Sequence, residues 1–310
     1  MDYLQMVEEI KNEYNEEIGD MMAIPEHSLL VTFDLTEIDE ADTLRVEEAN
    51  ENMEHEYLYR VDGLKGIFHV PKPLVSDEMP YDLNHIKWVF KLISSSNIVK
   101  NISVKYPLDK GKGFAAKSLK NSYDDYIIDC ITILKSAKSL AICAFDPNKY
   151  ADERIKSLLS KFSELEEFMV IGGLQSFPNK NEVPPSLKVA YFDYIGAKSL
   201  KKILENLPLD LEMLVITCTY FEKLPDEIGR LINLKYLEIS SAYYFDGVFP
   251  ESFKNLKQLE YLNISDNLLC SFPEIIFDIA DNLKYISIEE NDIEELPDLR
   301  MFPKIEKFIY

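Results

Sequence analysis

Glycine is scarce in this chain, with 10 residues in 310, so few backbone loops are available to cradle a phosphate. No GxGxxG turn, GxxxxGK[ST] loop, GxSxG elbow or kinase-like set of motifs occurs. Histidine is equally sparse, and His27, His55, His69 and His85 include no pair at a metal-ligating spacing such as HExxH. Glu54-His55-Glu56 reads as a solvated charge cluster, because adjacent side chains converge neither on a strand nor on a helix. The 4 cysteines, Cys130, Cys143, Cys218 and Cys270, are scattered without a CxxC spacing, which argues against zinc and fits a reducing compartment. No stretch approaches the roughly 18 apolar residues that span a bilayer, and Met1 to Ile10 lacks a basic segment leading into an apolar run. The expectation from these absences is a cytoplasmic protein without secretion signal, membrane helix, metal or cofactor.

Positive charge is also short: 33 Lys and Arg stand against 55 Asp and Glu, a net charge of −22. The imbalance is concentrated, since residues 1–60 hold 18 acids against Lys11, Arg45 and Arg60, which is −15, leaving −7 for the rest. Such a field repels nucleic acid and anionic lipid and steers a basic protein partner inward. Lys100, Lys105, Lys110, Lys112, Lys117 and Lys120 form the one basic counter-current, a solvated loop or an internal partner for the acidic segment.

What is present is a repeat. Leu211-Glu-Met-Leu214-Val-Ile216, Leu234-Lys-Tyr-Leu237-Glu-Ile239, Leu259-Glu-Tyr-Leu262-Asn-Ile264, Leu283-Lys-Tyr-Ile286-Ser-Ile288 and Ile305-Glu-Lys-Phe308-Ile-Tyr310 begin 23, 25, 24 and 22 residues apart. Each carries apolar residues at positions 1, 4 and 6. Phe221 with Leu224-Pro225, Leu269 with Phe272-Pro273 and Ile293 with Leu296-Pro297 add an apolar residue near position 11 and a proline near position 15. This pattern resembles the leucine-rich repeat family of intracellular or bacterial type, in which each repeat gives one short strand to a horseshoe. The resemblance implies an α/β fold, a solenoid with a parallel sheet on its concave face, and a role in holding a partner rather than in catalysis. The frame continues backwards through Leu187, Leu165 and Ala137, and in degenerate form through Val99 to Val104. About eight or nine strands are therefore expected over residues 97–310. Residues 1–96 form an acidic α+β cap in this reading, with an amphipathic helix over residues 2–20, strands at His27 to Phe33 and Gly66 to Val70, and a helix over His85 to Ile93. Thr36 to Glu56 is a long acidic loop in the same reading. The chain stops partway through a repeat at Tyr310, so the last strand is either the edge itself or the cut end of a longer array.

The family places Asn at position 9 of each repeat, where the amide satisfies backbone groups in the turn; here only Asn267 and Asn291 match. Thr219 supplies part of that bonding, whereas Gly173, Ile195 and Ala242 cannot, so altered turns or water are expected there.

In such a solenoid positions 3, 5 and 7 point to the concave face. Position 3 then aligns Met213, Tyr236, Tyr261 and Tyr285, position 5 adds Tyr191, Glu238 and Asn263, and position 7 adds Asp193 and Glu289. A column of tyrosines offers large contact area with few rotamers to freeze, so these residues are the candidate partner-binding surface. Tyr243 and Tyr244, in an insert at the rim, either extend that surface or fold over the core. The expected function is a non-enzymatic protein-interaction module for a basic protein, as adaptor, inhibitor, effector or immunity protein. The rival is an enzyme whose site lies in residues 1–96, with His27, His69 or His85 beside acids and the repeats delivering substrate.

Overall fold

The computed structural model describes residues 177–310 without interruption. Before them it describes residues 131–144 and 158–171, the strand segments given below, and single positions Gln5, Lys87, Phe90, Lys91, Ser94 and Leu174. The chain divides into two compact units, one of Val7–Phe145 with Lys161–Leu165, the other of Met1–Met6, Asp146–Ser160 and Glu166–Tyr310.

The first unit holds β1 (Leu29–Leu35), β2 (Leu58–Asp62), β3 (Lys65–Val70), β4 (Val99–Leu108) and β5 (Ser139–Ala144), in the spatial order β5-β4-β1-β3-β2. β1 runs antiparallel to β3 and β4, β2 antiparallel to β3, and β4 parallel to β5. The parallel pairing carries the repeat geometry back to the degenerate segment at Val99, with Val104 opposite Leu140 and Tyr106 opposite Ile142. β1 and β3 form where β-branched and aromatic residues cluster, while β2 was not legible, since its Leu58-Tyr-Arg-Val-Asp62 alternates too briefly to stand out. Lys87, Phe90 and Lys91 are helical, as the spacing of the segment predicts. The acidic loop, the basic loop beyond Lys110 and nearly all of the helix expected over residues 2–20 lie outside the described residues, apart from the helical Gln5.

The second unit is a stack of parallel strands: β6 (Glu167–Ile171), β7 (Val189–Asp193), β8 (Met213–Thr217), β9 (Tyr236–Ser240), β10 (Tyr261–Asn263), β11 (Tyr285–Ser287) and β12 (Lys307–Ile309). Each pairs with the next in sequence, as a solenoid requires. The cause is the repeat itself: Leu211, Leu214 and Ile216, and their counterparts Leu234, Leu237 and Ile239, are fully buried between neighbouring copies. One strand with its return cannot hide this edge alone, whereas stacked copies make a continuous core. α1 (Ala197–Asn206) returns the chain from β7 to β8. Later returns are 3₁₀ turns at Asp226–Arg230, Glu251–Asn255 and Glu274–Asn282, entered from Pro225, Pro250 and Pro273. The pyrrolidine ring presets φ for such an entry. Neighbouring returns pack closely enough that a Cβ on Gly229 would lie 2.4 Å from the Ser252 carbonyl oxygen.

A left-handed residue follows each of five strands: Tyr194 (φ 61), Cys218 (φ 49), Ser241 (φ 53), Asp266 (φ 53) and Glu290 (φ 52). None of the five is buried. Beyond them the two predicted asparagines work as expected. Asn267 Nδ2 donates to the Ile239 and Ile264 carbonyls at 2.8 and 2.9 Å, and Asn291 Nδ2 to those of Ile264 and Ile288 at 2.9 and 2.8 Å. At Ala242 the predicted deficit is met by the next repeat, where Asn267 Oδ1 accepts its N–H at 3.0 Å. Thr219 does what its hydroxyl allows, donating to the Thr217 carbonyl at 2.8 Å.

Candidate functional site

Strand register brings the candidate residues onto one face. Met213, Tyr236, Tyr261, Tyr285 and Lys307 sit opposite one another along the stack, as do Tyr191, Val215, Glu238 and Asn263, and likewise Asp193 and Thr217. The tyrosine rings stack as a column, with centroids 6.1 Å apart between Tyr236 and Tyr261 and 6.3 Å between Tyr261 and Tyr285, and Lys307 Nζ caps the end 5.6 Å from the Tyr285 centroid.

The face is open only in part. β7, β8 and β9 are buried at every position, on both sides, whereas β10 and β11 are covered on the core side and partly exposed on the other, and β12 is buried on neither. Tyr261, Asn263 and Tyr285 are half-buried and Glu289 is exposed, but Tyr191, Asp193, Met213, Tyr236 and Glu238 are buried. Strand alternation tells which side a residue points to, not whether that side is open, and this is why an exposed column was expected where part of it is enclosed.

Enclosure changes the chemistry. Tyr236 donates to Glu238 Oε2 at 2.8 Å, and Ser240 donates to Glu238 Oε1 at 2.8 Å. Burial, reinforced by Glu238, pushes the Tyr236 phenol well above its ordinary value, so it stays a neutral donor. Thr217 likewise donates to Asp193 at 2.9 Å and lies 3.4 Å from the Tyr191 hydroxyl, whose own acidity is suppressed chiefly by burial. These polar pairs hold the sheet. Tyr236→Phe keeps the ring stack and deletes one donor to a buried carboxylate, with an expected loss of about 2 kcal/mol. A urea midpoint equal to that of the wild type would mean that Glu238 does not draw on this hydroxyl.

A second surface lies where β7, β8 and β9 end. Tyr194, Tyr220, Tyr243 and Tyr244 are 50%, 38%, 48% and 60% exposed, and they touch. Tyr220 stacks on Tyr243 with centroids 4.7 Å apart and rings 17° from parallel, meets the edge of Tyr194 at 6.0 Å, and lies 6.0 Å from Tyr244. Tyr220 and Tyr243 each stand at the tenth position of their repeats, one place past the Asn position, and that shared offset was the overlooked signal. Of the two outcomes open for the insert, its tyrosines stay outside while Ala242 and Phe245 fold under. Gly247 (φ 85) then turns the chain back against Leu269. Around this cluster the Cys218 thiol is pushed up to about 11, first by burial and then by Asp193. The Tyr220 phenol is pushed up to about 12, first by its hydrogen bond with Tyr194.

Among the described residues no group of three or more His, Cys, Asp and Glu is placed to hold a metal, and no helix is long and apolar enough to cross a membrane. A shallow groove of about 410 Å³ beside Lys201, Glu227 and Phe249 holds an ion pair, with Lys201 3.1 Å from Glu227. Of the histidines proposed for an enzymatic site, His27 and His85 lie outside the described residues and His69 is described only as backbone in β3.

Comparison with known proteins agrees with the repeat. The model of the family described as "Leucine rich repeat" matches residues 210–269 and 232–293. Mouse lumican is 27% identical over 74% of this chain and 64% of its own length, and bovine keratocan 27% over 38% and 34%. The chain thus spans less than two thirds of the lumicans it matches. Among solved structures, internalin C2 of Listeria monocytogenes aligns over 58% of this chain and 73% of its own, at 18% identity and a TM-score of 0.38. A chain of the Drosophila Toll–Spatzle complex aligns over 51% and 20%, at 16% identity and a TM-score of 0.42.

Proposed function

This chain is a leucine-rich repeat protein, and we propose that it is a non-enzymatic binding module that takes a basic protein partner on the open part of its concave face, at Tyr261, Asn263, Tyr285 and Glu289. The observation that carries this reading is the half-exposed ring column of β10 and β11, held in fixed register with Tyr236 stacked behind it. Repeat solenoids use such extended concave surfaces to grip other proteins. Pre-stacked tyrosines lose little freedom on contact, so they suit the centre of an interface. The net charge of −22 supports a basic partner. The same proposal takes residues 1–96 as the cap and 97–310 as the repeats. It also sets the protein in the cytoplasm, in keeping with the free thiols of Cys218 and Cys270. Roles as adaptor, inhibitor, effector or immunity protein all follow from this one activity.

The test is capture of partners from lysate of the source cells by the full chain, followed by titration of the purified partner against Tyr261→Ala and Tyr285→Ala. Each variant is expected to weaken binding by about 2 kcal/mol, roughly thirtyfold, as hot-spot residues do. Wild-type affinity in the double variant would sink the concave-face assignment.

A further inference from the structure

Exposed tyrosines scattered singly need no explanation, but four joined through Tyr220, drawn from three successive repeats, form an aromatic patch that a protein surface rarely keeps without use. Tyr194 follows β7, Tyr220 follows β8, and Tyr243 and Tyr244 follow β9, so the patch crosses the strand ends as one band. It is rigid. The Tyr194 N–H donates to the Thr217 carbonyl at 3.2 Å, and the Tyr243 N–H donates to that of Thr219 at 3.1 Å. Phe245 anchors the insert from below, 5.2 Å from both Phe221 and Phe249.

The charge around the band is negative. The Tyr243 phenol is pushed up, first by Cys218 and burial, then by Tyr194, Asp266 and Asp193, with Asp266 exposed; Asp246, also exposed, follows Tyr244 by two residues. The π face of a tyrosine attracts cations, and surrounding carboxylates add to that attraction. A guanidinium is planar, stacks on rings and sheds water more readily than an ammonium, so arginine fits such a band better than lysine.

We propose that Tyr194, Tyr220, Tyr243 and Tyr244 form a recognition surface for arginine side chains on an extended segment of a protein partner. It rests on the reading of the chain as a protein-binding module and adds a second contact, at the strand ends, to the concave column. The guanidinium lies on the exposed ring faces of Tyr243 and Tyr244, with Asp246 and Asp266 at its edge.

The probe is a dye-labelled peptide of alternating Arg and Gly, titrated against the full chain by fluorescence anisotropy, beside the same peptide with Lys and with Glu in place of Arg. The Arg peptide is expected to bind, the Lys peptide several-fold more weakly, and the Glu peptide not at all. Joint Tyr243→Ser and Tyr244→Ser substitution should weaken the Arg peptide about tenfold, while Tyr243→Phe with Tyr244→Phe retains binding because the rings remain. Tyr261→Ala with Tyr285→Ala is titrated in parallel: loss of the Arg peptide confined to that pair would place it on the concave column and overturn the band, so this result and that of the concave-face test are read separately. Equal binding of Arg and Lys peptides that ignores the tyrosine variants would reduce the effect to general attraction by an acidic chain and overturn the proposal. No binding of the Arg peptide would overturn it too, as would a wild-type dimer in sedimentation that the Ser variant abolishes without changing peptide affinity, which would assign the band to a second copy of this chain.

Discussion

Replacing Asn267 with alanine is expected to destabilise the protein by about 3 kcal/mol or more, a large share of the 5–15 kcal/mol typical of a folded domain. Asn267 is buried and ties two repeats together: it donates to Ile239 of one and Ile264 of its own, and accepts from Ala242 of the first. Alanine removes all three bonds at once. Ile264 still receives Asn291 Nδ2 at 2.9 Å, but the Ile239 carbonyl and the Ala242 N–H lose the side chain that reaches them across the turn. A buried backbone group left unsatisfied costs roughly 1–3 kcal/mol, so two of them set the estimate. Asn291→Ala should cost less, because Asn291 is only half-buried and water replaces part of what it gives. Urea titration of both variants, with amide exchange at Ala242 followed in parallel, is the measurement. Equal midpoint shifts for the two asparagines, or unchanged exchange at Ala242, would remove Asn267 from the role of inter-repeat clamp.

Phe245→Ala is expected to cost about 3–5 kcal/mol, the usual range for emptying a buried phenylalanine site. Phe245 is fully buried, packs on Phe221 and Phe249, and its carbonyl accepts the Leu268 N–H at 3.1 Å. It fastens the insert that carries Tyr243 and Tyr244, so the loss should be local as well as global. Proteolysis within Ser241 to Phe249 should speed up, and affinity for the Arg peptide should fall even at temperatures where the rest of the stack stays folded. Phe245→Leu, which leaves a smaller void, should lie between wild type and alanine. If Phe245→Ala unfolds at the wild-type midpoint, the packing described for the insert is wrong.

Much of the second unit was legible because its determinants are local. Apolar residues at positions 1, 4 and 6 fix which side of each strand is hidden, and two copies of that rule in adjacent repeats set the register that pairs Tyr236 with Tyr261 and Tyr261 with Tyr285. The asparagines at 267 and 291 could be read for the same reason. That rule does not fix exposure. Nothing in Met213-Leu-Val-Ile-Thr217 distinguishes a strand buried on one side from one buried on both. Of the tyrosine band, Tyr243 and Tyr244 were open to either outcome, while Tyr194 and Tyr220 escaped because they lie outside the strands, where period-two counting ends and a left-handed residue redirects the chain.

Those left-handed residues also separate two kinds of selection. Tyr194, Cys218, Ser241, Asp266 and Glu290 occupy equivalent places, yet they comprise a phenol, a thiol, a hydroxyl and two carboxylates. Because each leaves the strand axis and none is buried, a change of side chain there alters what meets the outside while leaving the apolar ladder intact. Evolution can thus rewrite this line one letter at a time, and a lineage that acquires a new partner need not first acquire a more stable scaffold.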